Sequence, residues 1–581
     1  MSSRGITATD GTPLAVFERG DPDKPTILAV HGYPDDHTVW DGVTEALAER
    51  FHVVAYDVRG AGGSGRPRQR SAYRLDQLAA DLRSVVDVVS PDRPVHLLAH
   101  DWGSIQSWHA VTGDELRGRI ASFTSISGPC LDHAGAWFRS KLRRPSPRNL
   151  REVATQLACS GYIGFFQLPL IPELAWRSRV LPRVIDRLEK SDPAAAEHPT
   201  RPATADGIDG LALYRSNMLP RLGRPGARRT DIPVQVIAPT GDPFVTAPAQ
   251  SGIAEWAPDS WVRRVPGGHW LPRTRPDVVA RCATELVDHV ECGQRPRSLR
   301  RARTGTSHGA FGDRLVVVTG AGNGIGRELA LALADRGAQV VAADSDPAAA
   351  ERTAELTAAR GPRAHAYEVD VSDGAAMEDF AKRVRAESGV PDIVVNNAGI
   401  GLAGTFADTA VRDWQRVIDV NLWGVIHGSR LFAEQMTARG EGGRIVNIAS
   451  AAAYLPSQTL SAYGATKAAV LALSQSMGAE LAGSGISVHA ICPGLVNTGI
   501  TGRTRFAGTD EAEQADRRQA AGMLYQRRNF TPERAARDIL RAVERGKAVA
   551  PVTPEAKVGL ALSRLSPGLL RALARTGRSP V

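Results

Sequence analysis

Leu315-Val-Val-Val-Thr-Gly320-Ala-Gly-Asn323-Gly324-Ile325-Gly326-Arg-Glu-Leu-Ala330 is an apolar run, a glycine-rich turn and the opening of a helix. The run is short, and every position is β-branched or apolar. That is the pattern of a parallel strand covered on both faces. Glycines at 320, 324 and 326 let a backbone come close to a pyrophosphate, and the helix N-terminus behind them favours an anion. A glycine triplet alone is weak, but the next apolar run, Gln339–Ala343, ends on an acid, Asp344, 24 residues past Gly320. An acid there accepts both hydroxyls of a ribose and repels a 2′-phosphate. Asn323 brings no compensating cation, so NAD is expected and NADP is disfavoured.

Further runs continue the alternation. Asp370-Val371 follows a strand and is placed to contact an adenine. Ile393-Val-Val-Asn-Asn397-Ala398-Gly399 reads as a strand and a small-residue turn, and Asn421 lies on a helix. Cys492-Pro493-Gly494-Leu-Val496-Asn-Thr498 follows one more strand. Between them stands Ser450-Ala-Ala-Ala-Tyr-Leu-Pro-Ser-Gln-Thr-Leu-Ser-Ala-Tyr463-Gly-Ala-Thr-Lys467. Tyr463 and Lys467 are four apart and share one helix face. A nearby ammonium is expected to lower the phenol's pKa, so that Tyr463 can exchange a proton with an alcohol or carbonyl near neutral pH. Ser450 ends the preceding strand, where its hydroxyl can bond the same oxygen.

In this order the motifs over about 312–555 resemble the short-chain dehydrogenase/reductase family. The resemblance implies a Ser450–Tyr463–Lys467 catalytic set, with Asn421 holding a proton-relay water. It also implies a cofactor site built from the glycine turn, Asp344, Asp370, Val371, Asn397, Ala398, Gly399 and Thr498, with Pro493, Gly494 and Val496 along the nicotinamide. A homo-oligomer through this domain is expected.

The first half repeats the strand-then-turn logic. Thr26–His31 leads to Gly32-Tyr33-Pro34, and Val95–Ala99 runs into His100-Asp101-Trp102-Gly103-Ser104. A residue between small neighbours on a strand-to-helix turn fits a nucleophile elbow, here with Asp101 as the middle residue. A carboxylate nucleophile suits displacement at carbon through an ester; the alternative is that Asp101 merely caps the helix. Asp242 and His269 each follow a later strand, which completes the order nucleophile, acid, histidine. His269 would activate the water that cleaves the ester, and Asp242 would orient it.

Residues from about 10 to 290 look like an epoxide hydrolase of the α/β-hydrolase superfamily. His31-Gly-Tyr-Pro34 matches that family's oxyanion turn, which implies that the N–H groups of Tyr33 and Trp102 hold an oxyanion. The segments around Tyr162 and Tyr214 resemble those that carry the family's two epoxide-protonating tyrosines. Haloalkane dehalogenases share the Asp nucleophile but need halide donors, so the tyrosines favour the epoxide. Ala99, where many members have Gly, is a mild departure.

The chain has 581 residues, 43% hydrophobic and 23% charged, with a net charge of +9. We expect an α/β protein: an α/β-hydrolase domain over 1–292 with a helical cap at about 131–230, an exposed basic linker at 293–311, and a Rossmann-like domain over 312–581. No nucleic-acid motif, metal spacing or membrane-spanning run is present. Five scattered cysteines fit a reducing cytoplasm. Val558–Arg575 is basic and amphipathic, suited to packing on its own domain or a subunit, or to a peripheral membrane contact. The whole resembles actinobacterial fusions of an epoxide-hydrolase-like half with a dehydrogenase half. That implies a bifunctional enzyme acting on small, lipophilic molecules; the alternative is a dehydrogenase carrying a non-catalytic binding or assembly module.

Overall fold

The computed structural model describes residues 2–190, 192, 202–305 and 309–575. The chain divides into two compact units, Met1–Thr306 and Ser307–Val581.

The first unit is built on β1 (Ser2–Thr7), β2 (Pro13–Arg19), β3 (Thr26–Val30), β4 (His52–Tyr56), β5 (Val95–His100), β6 (Ile120–Ile126), β7 (Val234–Pro239) and β8 (Ser260–Val265). Their order in the sheet is β1-β2-β4-β3-β5-β6-β7-β8. β1 and β2 are antiparallel to each other, β2 is antiparallel to β4, and the remaining pairs are parallel. β3, β4, β5 and β7 are buried at every position because helices cover both faces, which is why they read as largely apolar runs. The cap leaves the sheet after β6 and returns before β7 as a series of helices from Leu131–Arg143 to Leu211–Gly223.

The expected linker is partly folded. Arg297–Ala302 is a helix whose Leu299 packs against Trp261 and Leu286, and Arg303 pairs with Asp259. One leucine among many arginines carries no apolar period, yet it is enough to seat one turn on β8.

In the second unit, β9 (Leu315–Thr319), β10 (Gln339–Asp344), β11 (His365–Glu368), β12 (Ile393–Asn396), β14 (Gly443–Ile448), β15 (Ile486–Cys492) and β17 (Val549–Pro551) form a parallel sheet in the order β11-β10-β9-β12-β14-β15-β17. Two short strands, β13 (Leu402–Ala403) and β16 (Arg505–Phe506), pair beside it. Successive residues of β9 serve opposite cores: Val316 and Val318 on one face, Leu315 and Val317 on the other.

The basic tail folds as helices Pro554–Leu565 and Pro567–Arg575. It packs on its own domain: Ala556 and Leu570 bury against Ala451 and Leu455, Tyr454 donates to the Ala556 carbonyl at 2.9 Å, and Gln458 donates to Ala574 at 3.0 Å. The tail's buried face therefore covers the 451–458 segment. Among the described residues no helix is long and apolar enough to cross a membrane, and no group of His, Cys, Asp and Glu could hold a metal.

Candidate active sites

Asp101 ends β5 with φ 51° and ψ −122°, a region that side chains rarely occupy. Three glycines make room for this turn. A Cβ on Gly32 would sit 2.4 Å from Asp101 Cβ, on Gly103 2.2 Å from the Val30 carbonyl, and on Gly128 2.1 Å from the Asp101 carbonyl. The Asp101 side chain does not cap the helix that follows. Its Oδ1 instead accepts the Tyr33 N–H at 2.8 Å, and the Trp102 N–H also stabilises the carboxylate. The two donors expected to hold an oxyanion thus already hold the Asp101 carboxylate. They leave Oδ2 facing His269, whose Nε2 is 3.6 Å away.

His269 Nδ1 is 3.0 Å from Asp242 Oδ2, and Asp242 Oδ1 accepts the N–H groups of Phe244 and Val245. Burial alone would lower the imidazole's pKa, but the carboxylates of Asp242 and then Asp101 push it up to about 9. Burial raises Asp101 to about 6 against the pull of His269 and the two backbone donors. Asp242 is held below the usual carboxylate range by the imidazole, although burial opposes this.

Tyr162 and Tyr214 close the site from the cap, ring centroids 5.8 Å apart, with Tyr214 against Trp102 at 4.9 Å. Desolvation first, with the Asp101 charge adding to it, holds both phenols well above their ordinary pKa, so both keep their protons. The cap is pinned where it matters. The Tyr33 hydroxyl donates to Gly207 and accepts from Trp176 Nε1, each at 2.8 Å, and Asn217 bonds Tyr73 and Leu75. Arg273 bridges Asp35 to Glu189 of the cap helix Val180–Lys190, and Asp192 accepts the Gly268 N–H next to His269. The sequence reading missed His100, which stands beneath the triad and bonds the His269 carbonyl at 2.9 Å.

In the second unit, every residue expected at the cofactor except Gly326 lines one cavity of about 950 Å³, and Ser450, Tyr463 and Lys467 line it too. The glycine turn is a cradle that side chains would fill. Gly320 and Gly324 have φ of +63° and +55°, and a Cβ on Gly320 would meet Ala398 Cα at 2.7 Å. Gly326 stands behind it, where a Cβ would lie 2.1 Å from the Gly320 carbonyl, so its role is close helix–strand packing. Asn397 holds the turn by donating to the carbonyls of Thr319 and Gly320. Asp344 Oδ2 accepts the Gly322 N–H at 2.7 Å. Asp370 accepts from Ser372, and Val371 is buried beside it. These residues fit a nicotinamide dinucleotide.

Tyr463 and Lys467 lie on helix Ser461–Glu480, and Ser450 is within hydrogen-bonding reach of the phenol. One expectation is corrected here. Tyr463 is raised, not lowered: desolvation outweighs the Ser450 hydrogen bond. The Lys467 ammonium lies 5.8 Å from the ring centroid and donates to the Ile448 carbonyl at 2.9 Å. Burial brings Lys467 itself down to about 8.

Asn421 sits in a π-helical turn, Asp419–Trp423, outside the cavity lining. Its side chain is committed to the Ile400 N–H and carbonyl, at 2.8 and 3.0 Å. The sequence reading also missed Tyr525, which lines the cavity from helix Glu511–Arg528 and whose phenol burial pushes up to about 12. A lone Tyr on an otherwise polar helix was the available signal. That helix is tied to the Pro493–Val496 strip through Glu555, which pairs with Arg528 and accepts the Leu495 N–H.

The family description "alpha/beta hydrolase fold" matches residues 25–276, and "short chain dehydrogenase" matches 314–507. The protein named "Probable oxidoreductase EphD" of Mycobacterium tuberculosis (strain ATCC 25618 / H37Rv) is 42% identical over 581 residues, 99% of this chain and 98% of that one. The chain belongs to the EphD family. This chain carries a hydrolase-fold domain followed by a short-chain dehydrogenase domain, so this EphD-family protein is an oxidoreductase that uses a nicotinamide cofactor on a small molecule. Among solved structures it is similar to a short-chain dehydrogenase/reductase from Burkholderia phymatum in complex with NAD (29% identity, 47% of this chain and 97% of that one, TM-score 0.41). It is also similar to the Bacillus megaterium epoxide hydrolase in complex with an inhibitor (23%, 49% and 100%, TM-score 0.40).

Proposed function

We propose a bifunctional enzyme: an NAD-dependent oxidoreductase of secondary alcohols or their ketones, joined to an epoxide hydrolase. The observation that carries the second activity is the alignment of Asp101 Oδ2 with His269 while Tyr33 holds Oδ1. Oδ2 attacks an epoxide carbon, the C–O bond breaks, and a phenol of Tyr162 or Tyr214 gives its proton to the departing oxygen. A phenol of raised pKa still protonates an alkoxide, which is the stronger base. The ester removes the charge on Asp101, one of the causes that raise His269, so the imidazole becomes freer to take a proton from water. The hydroxide formed attacks the ester carbonyl, whose oxygen is held by Tyr33 and Trp102. The ester C–O bond breaks, the departing oxygen of the diol takes the proton held by His269, and the remaining water proton passes to the phenolate, so Asp101 and the tyrosine are both regenerated.

This scheme sets a pH limit. Asp101 must be ionised to attack, and it takes up a proton as pH falls through about 6. Single-turnover ester formation, followed by rapid quench between pH 5 and 8, is expected to fall about tenfold per pH unit well below 6. A flat profile would refute the raised carboxyl of Asp101.

In the second unit, Tyr463 gives a proton to a carbonyl oxygen, or takes one from an alcohol, while Ser450 bonds that oxygen. The nicotinamide, when bound, supplies or accepts the hydride. The Asn421 side chain is occupied, so a relay water falls to its main-chain carbonyl.

Asp344 favours NAD by repelling a 2′-phosphate. Asp344→Ala is expected to shift the NAD/NADP ratio of kcat/KM towards NADP by about tenfold or more. Both KM values rise as well, because the Gly322 anchor is lost. Equal wild-type efficiency with both nucleotides would refute the preference. A homo-oligomer through the dehydrogenase domain is part of this proposal.

A further inference from the structure

We propose that the outer face of the cap helices Ile171–Arg177 and Val180–Lys190 docks on an anionic lipid bilayer. The inner faces of these helices are already used. Trp176 is fully buried against Tyr33, and Ile185 and Glu189 are buried. An outward face of such a helix is ordinarily polar. Here Leu170, Ile171, Leu174, Val180 and Val184 all point out, and Leu170 is 72% exposed.

The unpaired charges interleaved with these aliphatics have one sign. Arg179, Arg183 and Arg187 are exposed, and none has an ion-pair partner among the described residues. The nearby acids are engaged elsewhere: Glu173 with Arg215, Asp186 with Lys190, and Glu189 with Arg273. The face therefore offers aliphatic side chains framed by uncompensated guanidiniums.

The backbone gives a second, independent observation. Leu170 and Arg179, just outside the two ends of helix Ile171–Arg177, have φ of 62° and 59°. Left-handed backbone is uncommon for a non-glycine residue and costs about 1–3 kcal/mol. In both cases it presents an exposed side chain, one aliphatic and one cationic, that no contact within the fold requires.

Aliphatics with arginines suit the headgroup boundary, where the apolar groups enter the acyl region and guanidiniums meet phosphate. Leu, Ile and Val give no directional hydrogen bonds, and unpaired guanidiniums match anionic headgroups, so the proposal commits to a bilayer over an acidic protein. Trp176, on the reverse of the same helix, touches the oxyanion turn. A lipophilic molecule leaving the membrane would then have one helix to pass. The proposal holds whether or not the hydrolase half turns over.

The test is co-sedimentation of the full chain with vesicles of phosphatidylglycerol and phosphatidylcholine, against phosphatidylcholine alone. The wild type is expected to pellet only with the anionic vesicles, and less at high salt. R179Q/R183Q/R187Q should lower the partition coefficient on the order of a hundredfold. L170S/L174S should keep binding at low salt and lose it at about 0.5 M salt, where charges are screened. V558S/L565S/L569S on the tail should change nothing. Circular dichroism and NAD binding report whether each variant is folded. Undiminished binding by the folded arginine variant, or loss on the tail variant alone, overturns the proposal. So does a wild type that ignores vesicles but binds an immobilised acidic protein.

Discussion

Tyr463→Phe is expected to lower kcat/KM for a secondary alcohol by about 10²–10⁴-fold. The change removes one hydroxyl from the face that Ser450 and Lys467 share. Phe fills the same space, so NAD affinity, read by fluorescence titration, should move by less than about twofold. Epoxide turnover measured on the same sample serves as an internal control, because Tyr463 belongs to the other compact unit. The phenol is held protonated by desolvation, which suits donation to a carbonyl without a preceding deprotonation. Ketone reduction by the variant should therefore fall at least as far as alcohol oxidation. Oxidation at the parent's speed would dismiss Tyr463 as the acid–base.

The second large effect separates two roles in the hydrolase half. Asp101→Ala and His269→Gln should each remove steady-state epoxide turnover by about 10³-fold or more, but they should differ in what accumulates. With Asp101 intact and no base to activate water, His269→Gln should retain the ester. Intact-protein mass spectrometry should then show one added epoxide mass per chain, on the peptide that contains Asp101. Asp101→Ala should show none. Tyr162 and Tyr214 act before that point, so replacing both by Phe should slow ester formation itself. No adduct on His269→Gln, with no epoxide turnover by the wild type, would leave the first unit as a non-catalytic module.

Much of this was legible in the sequence because the central strands of both sheets are apolar at most positions and buried at all of them. Burial on two faces leaves no other pattern for β3, β5 or β9. The turns that follow them carry glycines whose absent side chains make room for a nucleophile or a phosphate. What escaped notice follows from the same physics. β1 is exposed at five of its six positions, so it shows no apolar run. His100 and Tyr525 belong to no spaced motif; only the fold sets them beside His269 and Tyr463. The electrostatics of Tyr463 were misjudged because spacing reports that Lys467 shares a helix face. It does not report that the ammonium is turned to the Ile448 carbonyl. The helix at Arg297–Ala302 hid in a basic stretch because one leucine suffices to anchor it.

The left-handed backbone at Asp101 has a consequence for directed evolution. Asp101→Gly would relieve the conformation. A library screened for heat resistance alone should therefore enrich dead hydrolases at this codon. Any thermostabilisation campaign must score turnover in every round, or it will select against the nucleophile it means to keep.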